Sequence, residues 1–224
     1  MAKTCAQLIA RVKQLIGRAG TFSSTTLDID NIILDALNEA QIHIVRKTPN
    51  ILDLQVKDIT TLDALTNQYE YNIGSFTIPI AHLMNVWILD GTSSRRLRYR
   101  YKDDFDKLYP DVSAIAVGMP DCYTRRGNKI EFNCPVSSDY NGYAIRVDYA
   151  KWAAEFASTV STAVSQLTQA DQGLILFAWS EALRVLAKGN AALVNIADEK
   201  RLLFNQWLDE YSDYHDLATE ELTE

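Results

Sequence analysis

Residues able to carry acid–base or metal chemistry are few in this chain and widely scattered. Three histidines, His43, His82 and His215, fall in three different predicted elements, and none accompanies a nucleophile motif. His43 stands beside Ile44 on a predicted helix and reads as a partly buried or surface imidazole. The motifs GxSxG, HExxH and GxGxxG are absent, as is a phosphate-binding GxxxxGK loop. Asp103, Asp104 and Asp106 lie close enough to suggest a metal site or half of a glycosidase carboxylate pair, whose partner would be distant in the chain. Their short spacing ahead of Lys107 fits the capping of a helix start better. No catalytic, cofactor-binding or metal-ligating residue is assigned.

The more informative chemistry is a basic run, Arg95-Arg96-Leu97-Arg98-Tyr99-Arg100-Tyr101-Lys102. Strand alternation would place Arg96, Arg98, Arg100 and Lys102 on one face and turn Leu97, Tyr99 and Tyr101 toward a core. Alternating Arg and Tyr suits nucleic-acid backbones or single strands. The chain carries 29 acidic and 22 basic side chains, a formal charge of -7, which favours a solvated or subunit-facing strand. Either reading makes it an interaction surface. The same acidic balance argues against an ordinary sequence-specific DNA-binding domain.

The elements that position this run change period twice. Leu8, Ile9, Val12, Leu15 and Ile16 lie on one helical face, with Thr4 and Gln7 as a capping box and Gly17 as the stop. After a polar loop over 20–26, a second helix is predicted from Leu27 to Arg46, with Asp28 and Asp30 at its start and Pro49 beyond its end. Period 2 then takes over: Leu54 to Lys57, Gln68 to Ile73, Met84 to Leu89, and Arg95 to Tyr101 after an Asp90-Gly91 turn. A short helix spans Asp103 to Tyr109. A hairpin turns at Gly127-Asn128 between Cys122–Arg125 and Lys129–Phe132, and a last strand runs from Tyr143 to Tyr149. A third helix opens at Thr168, with Leu174, Ala178, Ala182 and Val185 facing the core. A fourth follows Lys188-Gly189-Asn190 and carries Leu193, Ile196, Leu203, Phe204, Trp207, Leu208 and Tyr211.

Neither helical pair buries its stripe alone, so the two pairs are expected to pack together. Leu8, Val12, Leu37, Ala40, Leu174, Ala178, Leu203 and Trp207 should meet in that core. The fold class is α+β: a helical bundle from the N- and C-terminal helices with an inserted, mostly antiparallel β domain. The expected division is a helical module at 1–52 and 167–216, a β insertion at 53–150, an irregular connection at 151–166 and an acidic tail at 217–224. Cys5, Cys122 and Cys134 are an odd number without a CxxC pair, so free buried thiols of a cytosolic protein are expected over a Cys122–Cys134 bridge. Lys13 and Arg18 interrupt any signal-peptide core. No stretch approaches the roughly 20 apolar residues that cross a bilayer.

Several segments taken in order resemble the head-to-tail adaptor (connector) family of tailed bacteriophages. They are Leu8-Ile9-Ala10-Arg11-Val12, Leu34-Asp35-Ala36-Leu37-Asn38-Glu39-Ala40-Gln41, Arg46-Lys47-Thr48-Pro49 and Tyr71-Asn72-Ile73. Gly118-Met119-Pro120, the run Ile130 to Pro135 and Arg146-Val147-Asp148-Tyr149 complete the series. One departure is Lys151-Trp152-Ala153, where the family commonly has a basic–proline pair. The resemblance implies a structural virion protein of the phage neck, made in the host cytoplasm and binding the portal protein and the next tail or neck protein. It implies a homo-oligomeric ring, dodecameric in the family, through which genomic DNA passes without sequence-specific binding. Neither enzyme activity, nor a cofactor, nor a membrane is implied. A neck-associated cell-wall hydrolase and a small DNA-binding regulator are the alternatives. Candidate interaction residues are Arg96, Arg98, Arg100, Lys102, Trp152, Tyr211 and Tyr214.

Overall fold

Thr4 begins the first helix with a reciprocal pair of bonds. Its amide donates to Gln7 Oε1 at 3.0 Å, and the Gln7 amide donates to Thr4 Oγ1 at 3.3 Å. The computed structural model describes residues 2–19, 28–76 and 78–221, and in it α1 covers Cys5–Ala19. Gly17 does not stop this helix: it lacks the left-handed conformation of a helix-ending glycine, and the helix continues past it. The loop expected at 20–26 and the start expected at Leu27 lie outside the described residues. α2 spans Ile29–Lys47, capped by Asp28, which accepts from the Asn31 amide at 3.3 Å.

α4 (Asp171–Ala187) and α5 (Ala191–Glu221) follow the β segment. Between them Lys188 and Gly189 take φ of 44° and 87°, and the glycine bears the left-handed turn without strain. The chain forms two compact units, one from residues 1–54 and 152–224 and one from 55–151. In the helical unit α4 packs against α1, α2 and α5. Leu8, Val12, Leu37, Ala40, Leu174 and Ala178 are all fully buried there.

Phe177 is the joint of these helices. Its ring centroid lies 5.1 Å from His43 of α2 and 5.0 Å from Phe204 of α5. Trp207 closes onto Gly173, where an added Cβ would stand 2.0 Å from the indole Cζ3, so no side chain fits. Two expected core residues do not qualify. Leu203 is 38% exposed, because the buried side of α5 runs through Ala197, Phe204, Leu208 and Tyr211, about 100° round from it, and Val185 near the end of α4 is 45% exposed.

The β unit holds two four-stranded sheets. Its strands are β1 (Gln55–Asp58), β2 (Glu70–Asn72), β3 (Ile80–Leu89), β4 (Ser94–Arg96), β5 (Arg98–Tyr99), β6 (Cys122–Arg126), β7 (Lys129–Phe132) and β8 (Ala144–Lys151). The sheet orders are β1-β8-β3-β4 and β2-β7-β6-β5. Every pairing is antiparallel except β5 with β6. Gln55 pairs with Ala150, so the chain enters and leaves this unit on neighbouring strands, as an insertion requires.

Side chains of both sheets share one core, including Tyr71, Ile130 and Phe132 from one and Val86, Ile88, Ile145, Val147 and Tyr149 from the other. The β6–β7 hairpin turns at Gly127-Asn128, with Gly127 at φ 59°, the first-position glycine of a type II′ turn. The three cysteines are free and buried, as expected.

Candidate interaction surfaces

The basic run is not one strand. Ser94–Arg96 forms the edge of the first sheet, paired with β3, and Arg98–Tyr99 the edge of the second, paired with β6. The backbone partner changes at Leu97. The Leu97 amide donates to Val86 O at 2.9 Å, whereas Arg98 and Arg100 donate to Asp121 O and Tyr123 O at 3.0 and 2.9 Å. Leu97 drops into the core, 2% exposed.

This crossing breaks the simple alternation. Tyr99 and Tyr101 do not face a core: they are 49% and 74% exposed and meet edge to face, centroids 5.5 Å apart. Arg95 and Arg96 are exposed and make no ion pair among the described residues. The Arg98 side chain is 76% exposed and only brushes Asp121, at 3.9 Å. Arg100 departs from the expected common face, half-buried beside the Cys122 thiol and the Tyr109 phenol. Lys102 begins helix α3 (Lys102–Leu108) and pairs with Asp106 at 2.9 Å.

Two of the three carboxylates on α3 form ion pairs, and the expected side-chain cap of the helix start is not made. Asp106 accepts from Lys102 and from Arg126 of β6, and Arg126 also binds Glu131 of β7. Asp104 faces Lys107 at 3.6 Å. No cluster of metal-ligating side chains occurs among the described residues. Lys102, then Arg126, hold the Asp106 carboxyl below its ordinary value. Its contribution is therefore fully present above the ordinary carboxylate value and is lost as pH falls from there through the lowered value of the folded protein. Asp106→Asn should lower the melting temperature at pH 7, and the difference from the native protein should begin to shrink below about pH 4 and close only at still lower pH.

The three histidines lie on three different elements, α2, β3 and α5. His43 lies 3.5 Å from Glu39 on its own helix and His82 sits on β3 opposite Ala150. His215 is 4% exposed between the rings of Tyr211 and Tyr214, and burial pushes its imidazole below the usual value.

The helical unit holds a second arrangement that periodicity did not reveal. Asn38 and Gln41 clasp the irregular segment after β8. Asn38 Nδ2 donates to Phe156 O at 3.2 Å and its Oδ1 accepts from Phe156 N at 2.8 Å; Gln41 Nε2 donates to Ala154 O at 3.2 Å. Ser165 Oγ donates to Gln41 Oε1 at 2.9 Å. The available signal was two amides, three residues apart, beside the apolar stripe of a helix, where Gln41 is buried and Asn38 half-buried. The Thr4–Val164 bridge fastens the same segment beside α1. A cleft of about 200 Å³ opens next to the clasp, lined by Asn38, Gln41, Ile42, Arg46 and Trp152.

Of the aromatic candidates, Trp152 thus lines this cleft and Tyr214 is 54% exposed. Tyr211 is not at the surface. It is 7% exposed, stacked on Trp207 at 4.7 Å, with its hydroxyl donating to Thr168 O at 2.9 Å. Its ring belongs to the buried side of α5, which accounts for the difference from expectation.

The last described turns of α5 bring exposed carboxylates together. Asp209 reaches Lys47 at 3.3 Å and Asp216 accepts from Asn50 at 2.8 Å. Glu210 and Asp213 are exposed and make no ion pair among the described residues. No described helix is long and apolar enough to cross a membrane. The model of one protein family, described as SU10 adaptor protein, matches residues 3–221. No curated protein matches the chain.

Proposed function

Because the chain belongs to the SU10 adaptor protein family, we propose that it forms a ring beneath the portal in the phage neck and continues the DNA channel toward the tail. Membership in a phage adaptor family points to a structural role in the virion and to interaction with other head and tail proteins. The observation that carries the proposal is the extent of the match, residues 3–221, which takes in both the helical and the β unit. The helical module at 1–52 and 167–216 and the β insertion at 53–150 are then parts of one ring subunit, with the portal on one side and the next neck or tail protein on the other. Twelve copies would follow the pattern that the resemblance implies.

A ring repeats one heterologous contact, so each subunit needs two different complementary surfaces. Surfaces rich in charge and poor in apolar area associate weakly in isolation and gain strength when a template raises the effective concentration of neighbours. An acidic chain lining the channel would repel DNA phosphates, which suits passage without sequence-specific binding. Sedimentation is the test. Alone, the protein should be monomeric or weakly associated, and with portal it should sediment as a closed complex of many copies. A tight dimer at low concentration, unaffected by portal, contradicts the proposal.

A further inference from the structure

We propose that the crossing segment of one copy, through Arg95, Arg96 and Arg98 with Tyr99 and Tyr101, docks on the acidic face that Glu210 and Asp213 present on α5 of a second copy. This rests on the ring reading and names the two surfaces that its repeated contact joins.

Three observations converge on that pairing. The first is composition at the crossing. Exposed Arg and Tyr are the side chains enriched at the energetic centres of protein interfaces. Here two exposed rings and three exposed guanidinium groups occupy seven consecutive residues, and the only ion pair among those three arginines in the described residues is the 3.9 Å approach of Arg98 to Asp121.

The second is backbone geometry. The segment is the edge of both sheets, and an open edge invites an added strand. Charged side chains along an edge oppose such addition. That favours a partner recognised by side chains, as a helix face would be.

The third is the distribution of charge. The β unit carries 12 basic and 12 acidic side chains, and the helical unit 10 basic and 17 acidic. All of the surplus negative charge is therefore in the unit that holds α5. Glu210 and Asp213, three residues apart, share a face of that helix with the exposed Tyr214. The basic and acidic surfaces are different parts of the chain, as a head-to-tail contact demands.

Two reversals test the pairing: Arg96→Glu with Arg98→Glu, and Glu210→Lys with Asp213→Lys. Both sites are exposed, so each variant should melt within a few degrees of the native protein. Alone, each should assemble on portal at least roughly tenfold more slowly at low salt. An equimolar mixture should recover the native rate, because each variant then offers the surface complementary to the other. The recovery should weaken as salt shortens the screening length.

A mixture that stays defective, or a single variant that assembles normally, overturns the pairing. So does an arginine variant that assembles normally but loses retention of an oligonucleotide, which would assign the arginines to nucleic acid. The same three samples without portal, sedimented at high concentration, separate the two claims. Association of native protein and of the mixture, but of neither variant alone, upholds the contact even where no ring forms on portal and the ring reading fails. Association of either variant alone as strong as that of the native protein overturns the contact.

Discussion

Phe177→Ala is expected to lower the stability of the helical unit by about 3–5 kcal/mol. The side chain is fully buried in α4 and touches rings from α2 and α5 at about 5 Å, while the Arg201 guanidinium covers it at 4.0 Å from its centroid. Removing the ring leaves a cavity at the junction of three helices, which cannot collapse without moving all of them. The arginine would lose the aromatic face it lies on. Urea unfolding followed by tryptophan emission reads this directly, because Trp152, Trp179 and Trp207 belong to the helical unit and only Trp87 to the other. A loss below about 1 kcal/mol would mean that the N- and C-terminal helices do not share this core.

Leu37→Ala and Leu203→Ala should differ sharply, although both residues were expected in the helical core. Leu37 has no exposed surface, so its truncation should cost about 2–5 kcal/mol. Leu203 is 38% exposed, and its loss should cost less than about 1 kcal/mol. The same urea measurement decides both. Equal effects at the two sites would show that α5 buries a different face.

The contrast also shows what periodicity can and cannot deliver. On α2 the apolar stripe is legible, and Ile33, Leu37, Ala40 and Ile44 are all buried, with Gln41 the polar residue buried among them. α4 is apolar nearly all round because three helices cover it, so its sequence does not single out a face and Phe177 is not distinguished. On α5 two adjacent leucines precede Phe204, and a shift of one residue turns the reading by about 100°. Capping depends on residues three apart: Thr4 with Gln7 is found as expected, whereas Asp28, expected as a first-turn charge, is the cap itself and accepts from Asn31.

The interaction surface was half legible for a different reason. Alternation assumes that a strand keeps one partner, and the run from Arg95 to Tyr101 changes partner at Leu97. That nonlocal event, set by Val86 on one side and Asp121 on the other, brings Tyr99 and Tyr101 out and tucks Arg100 in. The Asn38–Gln41 clasp was hidden likewise, since its partners lie more than a hundred residues away.

Electron microscopy of purified portal mixed with this protein tests the proposed role most directly. The expected image is one closed ring of protein subunits stacked coaxially on the tail-facing side of the portal, its central opening continuous with the portal channel. Portal particles that remain bare, or that carry isolated copies away from the channel axis, would contradict it.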